Sequence, residues 1–302
     1  MKIFNVQNCR PVLFLLLSVL SACDSQEKKV SGEASQVKND PNEIFSYYSE
    51  PETKMVYSES VSDSFKIFTS LPNEYNSDTT STYPLILVLD ANAYFESVVA
   101  ELKLSTLTQG QPKSIVVGIG YKNFWAMDSL RNRDYTYPIA PPEDEFVVSG
   151  GAEKFKNFID NELLTKSTKQ YRVNKNQVIL MGHSLGGYFV LYHMFNSFEE
   201  SEYSINNYIS VSPSLSYVNQ YVLKLEKKLR ELKKPLPVKL YVSTGSLEQS
   251  EKYENLFLKL KTQMESSHYD SANLKFVEFG NFEHMDSAMP GFMKGLVFVF
   301  EK

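Results

Sequence analysis

Apolar positions along the chain fall into two rhythms. Short β-branched or aliphatic runs begin near Lys54, Phe65, Tyr83, Ser114, Gln177, Tyr208, Lys239 and Leu274, and each predicts a strand. Between the later runs lie stretches with helical spacing, at 93–108, 153–170, 185–198, 218–233, 249–266 and from about Ser287 onward. Only a few residues separate the first two strands, which suits an antiparallel pair, whereas the later gaps are long enough for crossover helices. The pattern therefore predicts an α/β domain with an eight-stranded, mostly parallel sheet and helices on both faces. In such sheets ligands and chemistry collect beyond the carboxyl ends of the strands. The residues that follow each strand are thus the ones to read.

The N-terminus has a different pattern. Lys2 and Arg10 precede an apolar run from Val12 to Leu20 that ends Leu20-Ser21-Ala22-Cys23. A basic flank, a short apolar stretch and small residues before a break predict a secretory signal peptide over residues 1–22, too short to span a bilayer comfortably. The ending resembles the lipobox of bacterial lipoproteins. That resemblance implies that Cys23 becomes the lipidated first residue, so that the protein is exported and anchored to a bacterial membrane, facing the periplasm or the cell exterior. Residues 23–50 are polar with little to bury and read as a tether, leaving 51–302 as the folded α/β domain.

Composition narrows the chemistry. A chain of 302 residues, 42% hydrophobic and 13% aromatic, builds a substantial core and is neither disordered nor a disulfide-stapled mini-protein. The formal charge of -5 and the lack of a Lys/Arg-rich run argue against a nucleic-acid partner. Removal of residues 1–22 takes Cys9 away and commits Cys23, so the mature domain has no thiol for catalysis, iron–sulfur or zinc–thiolate chemistry. The four histidines lack ligand spacing with one another, so neither a metal nor another cofactor is expected.

Serine chemistry is what remains. After the fifth strand the chain reads Gly182-His183-Ser184-Leu185-Gly186-Gly187 and passes at once into a helical pattern. A strand that turns directly into a helix strains its turn residue, and side chains two places either side would collide; glycines at 182 and 186 remove both collisions. Ser184 is thereby thrust above the sheet edge as the candidate nucleophile, with the Leu185 N–H free to meet an oxyanion. Serine needs a base. His183 adjoins the nucleophile inside the turn, His193 sits mid-helix as a structural imidazole, and His268 precedes the eighth strand at the wrong edge. His284 follows that strand and emerges beside Ser184. Its carboxylate partner is Glu248, the first acid after the seventh strand, with Glu251 and Glu254 read as solvent-facing and a Ser/His pair with a more distant acid still open. The second oxyanion donor comes from the loop after the third strand, from the N–H of Ala91 or Asn92, with Asp90 bracing that turn.

These residues resemble the esterase D and siderophore-esterase branch of the α/β-hydrolases. The resemblance spans most of residues 60–300 and rests on Leu89-Asp90, Arg131-Asn132-Arg133-Asp134-Tyr135, Gly150-Gly151-Ala152, the Ser184 turn, Ser212-Pro213-Ser214-Leu215, Gly245-Ser246-Leu247-Glu248-Gln249 and Glu283-His284-Met285. It departs at Ser216 and Tyr217, where tryptophan is usual after Ser-Pro-Ser-Leu, and at Ala91, where glycine is common. It implies the α/β-hydrolase fold and hydrolysis of a small-molecule carboxylic ester through an acyl-Ser184 intermediate. In that scheme His284 takes the hydroxyl proton and later activates water, and Glu248 orients it. Residues 121–150 form a long connection carrying Phe124, Trp125, Arg131, Arg133, Tyr135 and Tyr137. Trp125, Arg131 and Arg133 are candidates for binding an aryl or anionic acyl ligand, the alternative being that the arginines pair with local carboxylates such as Asp134. Rival readings are a ligand-binding lipoprotein with a degenerate site, a carbohydrate acyl esterase and a peptidase, the last normally carrying an extra domain that this length cannot hold.

Overall fold

The computed structural model describes residues 48–143, 146, 148–200, 204–233, 236–248 and 255–301. The expected signal peptide, Cys23 and all but the end of the expected tether lie outside them, as do Glu251 and Glu254. Packing begins by Tyr48, three residues ahead of the expected domain start. Its side chain is buried, its hydroxyl accepts the Ser114 N–H at 3.1 Å, and its backbone bridges Pro72.

Eight strands form one sheet: β1 (Glu52–Ser58), β2 (Asp63–Ser70), β3 (Tyr83–Val88), β4 (Ile115–Gly120), β5 (Val173–His183), β6 (Asn207–Val211), β7 (Lys239–Gly245) and β8 (Leu274–Phe279). Their spatial order is β1-β2-β4-β3-β5-β6-β7-β8. β1 and β2 are antiparallel to each other, β2 is antiparallel to β4, and every later pairing is parallel. This is the expected α/β-hydrolase arrangement. Strand period two sorts the central side chains: Leu85, Leu87 and Leu89 enter one core, Ile86 and Val88 the other. Burial on both faces is why β3 and β4 read as nearly unbroken apolar runs.

One face is covered by α1 (Ala91–Gln109) and α8 (Ala288–Phe300), through Phe95, Val98, Leu102, Phe292 and Leu296. The opposite face holds α2 (Phe124–Tyr135), α3 (Ala152–Asn157), α4 (Leu164–Gln170), α5 (Leu185–Glu200), α6 (Tyr217–Glu231) and α7 (Leu256–Glu265), with a π-helical turn at Phe158–Leu163 joining α3 to α4. The helix α2 lies within the segment read from sequence as a long connection. Its start is set by Asn123, whose side chain accepts the Ala126 N–H at 2.9 Å. The expected helix at 218–233 is regular only after Gln220, because Val218, Asn219 and Gln220 have left-handed backbone angles. No helix among the described residues is long and apolar enough to cross a membrane.

Candidate active site

The turn after β5 has the strain expected of it. Ser184 sits at φ 60, and its N–H is held by the Val211 carbonyl of the neighbouring strand at 3.0 Å. A Cβ on Gly182 would lie 2.6 Å from the Gly186 carbonyl carbon, and one on Gly187 would lie 2.7 Å from the Val211 oxygen. Gly186 is less constrained, its nearest neighbour being Asp90 Oδ2 at 3.1 Å. The third glycine of the motif is thus more tightly required by packing than the second.

Ser184, Glu248 and His284 come from the carboxyl ends of β5, β7 and β8 and meet at one edge. Glu248 Oε2 accepts from His284 Nδ1 at 2.7 Å. Its other oxygen accepts the Ser212 hydroxyl at 2.7 Å and the Gly245 N–H at 2.6 Å. Burial pushes this carboxyl upward, but the hydrogen bonds from His284, Ser212 and Gly245 outweigh it and hold the pKa at about 2. Glu248 is therefore an anion at neutral pH and fixes the Nδ1–H tautomer of His284, leaving Nε2 able to accept a proton. The His284 ring, 43% exposed at its side chain, packs against that of His183 with centroids 4.6 Å apart, directly beside the nucleophile turn. The Ser184 hydroxyl pairs with Ser214 Oγ at 3.5 Å and makes no hydrogen bond to His284 in this conformation. Such links are often long before substrate arrives.

Two helix starts face the same edge. The N–H groups of Ala91 and Asn92 at the head of α1 and of Leu185 at the head of α5 have no hydrogen-bond partner among the described residues, which leaves them free for an oxyanion. The Asn92 side chain is committed elsewhere, exchanging two hydrogen bonds with the Tyr121 backbone.

Of the three residues expected from sequence to bind substrate, the two arginines take the alternative arrangement and pair with carboxylates. Arg131 forms a bidentate pair with Asp90, Nε to Oδ1 at 3.0 Å and Nη2 to Oδ2 at 2.9 Å, and the Asp90 side chain is only 3% exposed. Arg133 pairs with Asp134 at 2.7 Å and Asp63 at 2.8 Å. Burial lowers the proton affinity of both guanidiniums, but their carboxylate partners more than restore it. Arg131 thus braces the head of α1 by pairing a buried carboxylate that would otherwise lack a countercharge, whereas Arg133 ties α2 to the start of β2. Trp125 is 82% exposed on α2 and touches Phe124 edge-on. His193 is buried between Asp160 and Tyr208, a structural imidazole, and His268 is exposed. No group of three or more His, Cys, Asp or Glu among the described residues has the arrangement of a metal site.

The chain matches the family described as "Putative esterase" over residues 58–259. It is also 30% identical over 213 residues to the ferri-bacillibactin esterase BesA of Bacillus subtilis, covering 67% of this chain and 72% of that one. The chain belongs to this esterase family. Similarity to the apo-salmochelin esterase of Escherichia coli is 30% over 159 residues, half of this esterase and 47% of that protein. Among solved structures, the BES protein of Bacillus cereus superposes with a TM-score of 0.69 at 24% identity, over 93% of this esterase and all of that chain, a likeness of fold. The esterase is accordingly a carboxylic ester hydrolase on an α/β-hydrolase scaffold.

Sequence reasoning missed several residues of the site. Ser212, Ser214 and Ser287 sit beside Glu248, Ser184 and His284 respectively. Tyr94 donates to His183 Nδ1 at 3.0 Å. The Ser212-Pro213-Ser214 segment is a visible motif, but nothing in its spelling says that Ser212 would take φ 43 and turn its hydroxyl to Glu248.

Proposed function

We propose that this esterase hydrolyses siderophore-type esters, with Ser184 as nucleophile, His284 as base and Glu248 as the acid that orients it. The observation that carries the mechanism is the 2.7 Å hydrogen bond from His284 Nδ1 to Glu248, at the strand edge where Ser184 is also displayed. His284 Nε2 takes the Ser184 proton as its oxygen attacks the ester carbonyl. The developing oxyanion is met by the Leu185 N–H and by that of Ala91 or Asn92. His284 then returns the proton to the leaving alcohol, and water repeats the sequence on the acyl-enzyme. Support for the substrate class comes from the relatives named as ferri-bacillibactin and apo-salmochelin esterases. Exposed Phe124, Trp125, Leu247 and Met285, on segments that follow strand carboxyl ends, supply apolar surface for aryl groups.

The test is a panel of catecholate trilactones, acetylated sugars, feruloyl esters and short acyl esters followed by product analysis. The trilactones are expected to give the highest kcat/KM, and a preference for acetylated sugars refutes the substrate class. A fluorophosphonate probe is expected to label Ser184; its failure to do so refutes the mechanism. The Leu20-Ser21-Ala22-Cys23 segment supports a further part of the proposal, that the mature protein is exported and anchored to a bacterial membrane through lipid on Cys23, facing the periplasm or exterior. Metabolic labelling with a radioactive fatty acid is expected to mark the wild type and not Cys23→Ser.

A further inference from the structure

His183 does more in this fold than separate Gly182 from Ser184. The ring is buried, and both of its nitrogens are engaged with parts of the chain far away in sequence. Nε2 lies 2.8 Å from the main-chain carbonyl of His284. A carbonyl can only accept, so Nε2 carries the proton, and Nδ1 is then the acceptor for the Tyr94 hydroxyl at 3.0 Å. Burial and the nearby charge of His284 hold the imidazole pKa down to about 4, so it stays neutral at working pH. The same His284 carbonyl also lies 2.9 Å from the Ser287 hydroxyl. Ser287 Oγ is in turn 2.6 Å from Ser212 Oγ, the donor to Glu248.

The base-bearing loop therefore has one firm tie to the nucleophile's own turn. Its other contacts lead to the loop after β7, through the Asn281 N–H to Ser246 Oγ and the Leu247 N–H to the Phe282 carbonyl, and to the loop after β6, through Ser287 Oγ to Ser212 Oγ. Those fix His284 relative to Glu248. Among the described residues, the His183 hydrogen bond is the contact that reaches the turn carrying Ser184 directly.

We propose that His183 is a positioning residue, whose Nε2–H holds the His284 main chain and so sets the distance from the base to the nucleophile one residue away. The proposal rests on the reading that Ser184, His284 and Glu248 carry out the hydrolysis. In the free enzyme Ser184 rests on Ser214, so the catalytic proton transfer requires a short approach of the His284 ring. A loop pinned at its carbonyl by His183 makes that approach by ring rotation alone, whereas an unpinned loop must also be placed.

Two amide variants separate the donor from mere polarity. In His183→Gln the side-chain nitrogen extends as far as imidazole Nε2 and can still reach the carbonyl; in His183→Asn it falls at the Nδ1 position and cannot. With a p-nitrophenyl ester, His183→Asn is expected to lower kcat about 10- to 100-fold with KM within about twofold, the size of effect that a misplacement of about 1 Å produces. His183→Gln is expected to recover kcat to within about threefold of wild type. Thermal melts of both variants establish that they are folded. If His183→Asn does not fold, His183→Leu, which lacks any donor, takes its place and must show the same loss. Wild-type kcat in the donor-less variant, or His183→Gln as slow as His183→Asn, overturns the proposal. Ser184→Ala in the same assay keeps the two readings apart: activity in that variant refutes the triad, whereas its inactivity beside a fully active His183→Asn refutes only the positioning role.

Discussion

Glu248→Gln is the sharpest test of the assignment of the acid. The side chain keeps its shape, and its remaining oxygen can still accept from Ser212 and Gly245, which lie 2.7 and 2.6 Å from Oε1. The amide nitrogen is then left facing His284 Nδ1 at about the present 2.7 Å. Two donors cannot share that hydrogen bond, so Nδ1 must become the acceptor and the proton moves to Nε2, the nitrogen that should receive the serine proton. The wrong tautomer, together with the loss of a countercharge for the imidazolium, is expected to lower kcat by roughly 10³- to 10⁴-fold, or about 4 to 5 kcal/mol in barrier, with little change in KM. Burst and steady-state release of p-nitrophenol measures it. A second signature comes from stability. Because the folded carboxyl sits at about 2, below the 4.5 of an exposed glutamate, its stabilisation is complete above pH 4.5 and disappears as pH falls toward 2. The advantage of wild type over Glu248→Gln, of order 1 to 3 kcal/mol after allowance for solvent screening, should therefore shrink in urea melts across that window. A folded Glu248→Gln enzyme with kcat within about threefold of wild type would refute the reasoning and leave a Ser/His pair.

Other outcomes follow from the same geometry. Ser184→Ala should lose roughly 10⁴- to 10⁶-fold in turnover, measured on the same ester. Arg131→Met strands the buried Asp90 carboxylate and is expected to destabilise the fold by about 3 to 5 kcal/mol in urea melts, with Arg131→Lys only a partial rescue because the pair is bidentate. Gly182→Ala places a Cβ against the Gly186 backbone and should yield a poorly folded or inactive protein, read by melting temperature and activity together. His183 titrates near 4 when folded against 6.5 as an exposed imidazole, so the unfolded chain alone binds a proton between those values. Stability should consequently fall with decreasing pH over that window, with a slope of up to about 1.4 kcal/mol per pH unit, and His183→Gln should remove that slope.

The strands and the placement of the three candidate residues at one edge were legible because their signals are local. Unbroken apolar runs mark strands buried on both faces, and Gly182 and Gly187 mark a turn too tight for side chains. Ser184, Glu248 and His284 could be chosen by elimination because each follows a strand at the edge where chemistry gathers. Arg131 was not legible in the same way. Its partner, Asp90, is forty-one positions away, and the pairing arises only when the head of α1 packs beside α2. The helix α2 was hidden for a related reason: it buries few apolar side chains while Phe124 and Trp125 face outward, and its start depends on the Asn123 cap, not on a strong apolar stripe. Likewise, the ties of His183 to Tyr94 and His284 are properties of a folded junction, invisible to spacing.

The position of Tyr48 has a consequence for the proposed lipid anchor. It meets the chain at Pro72 and Ser114, where β2 ends and β4 begins, the end of the sheet opposite Ser184. Traction applied ahead of Tyr48 would thus pull on that end of the sheet, and Ser184 stands at the other.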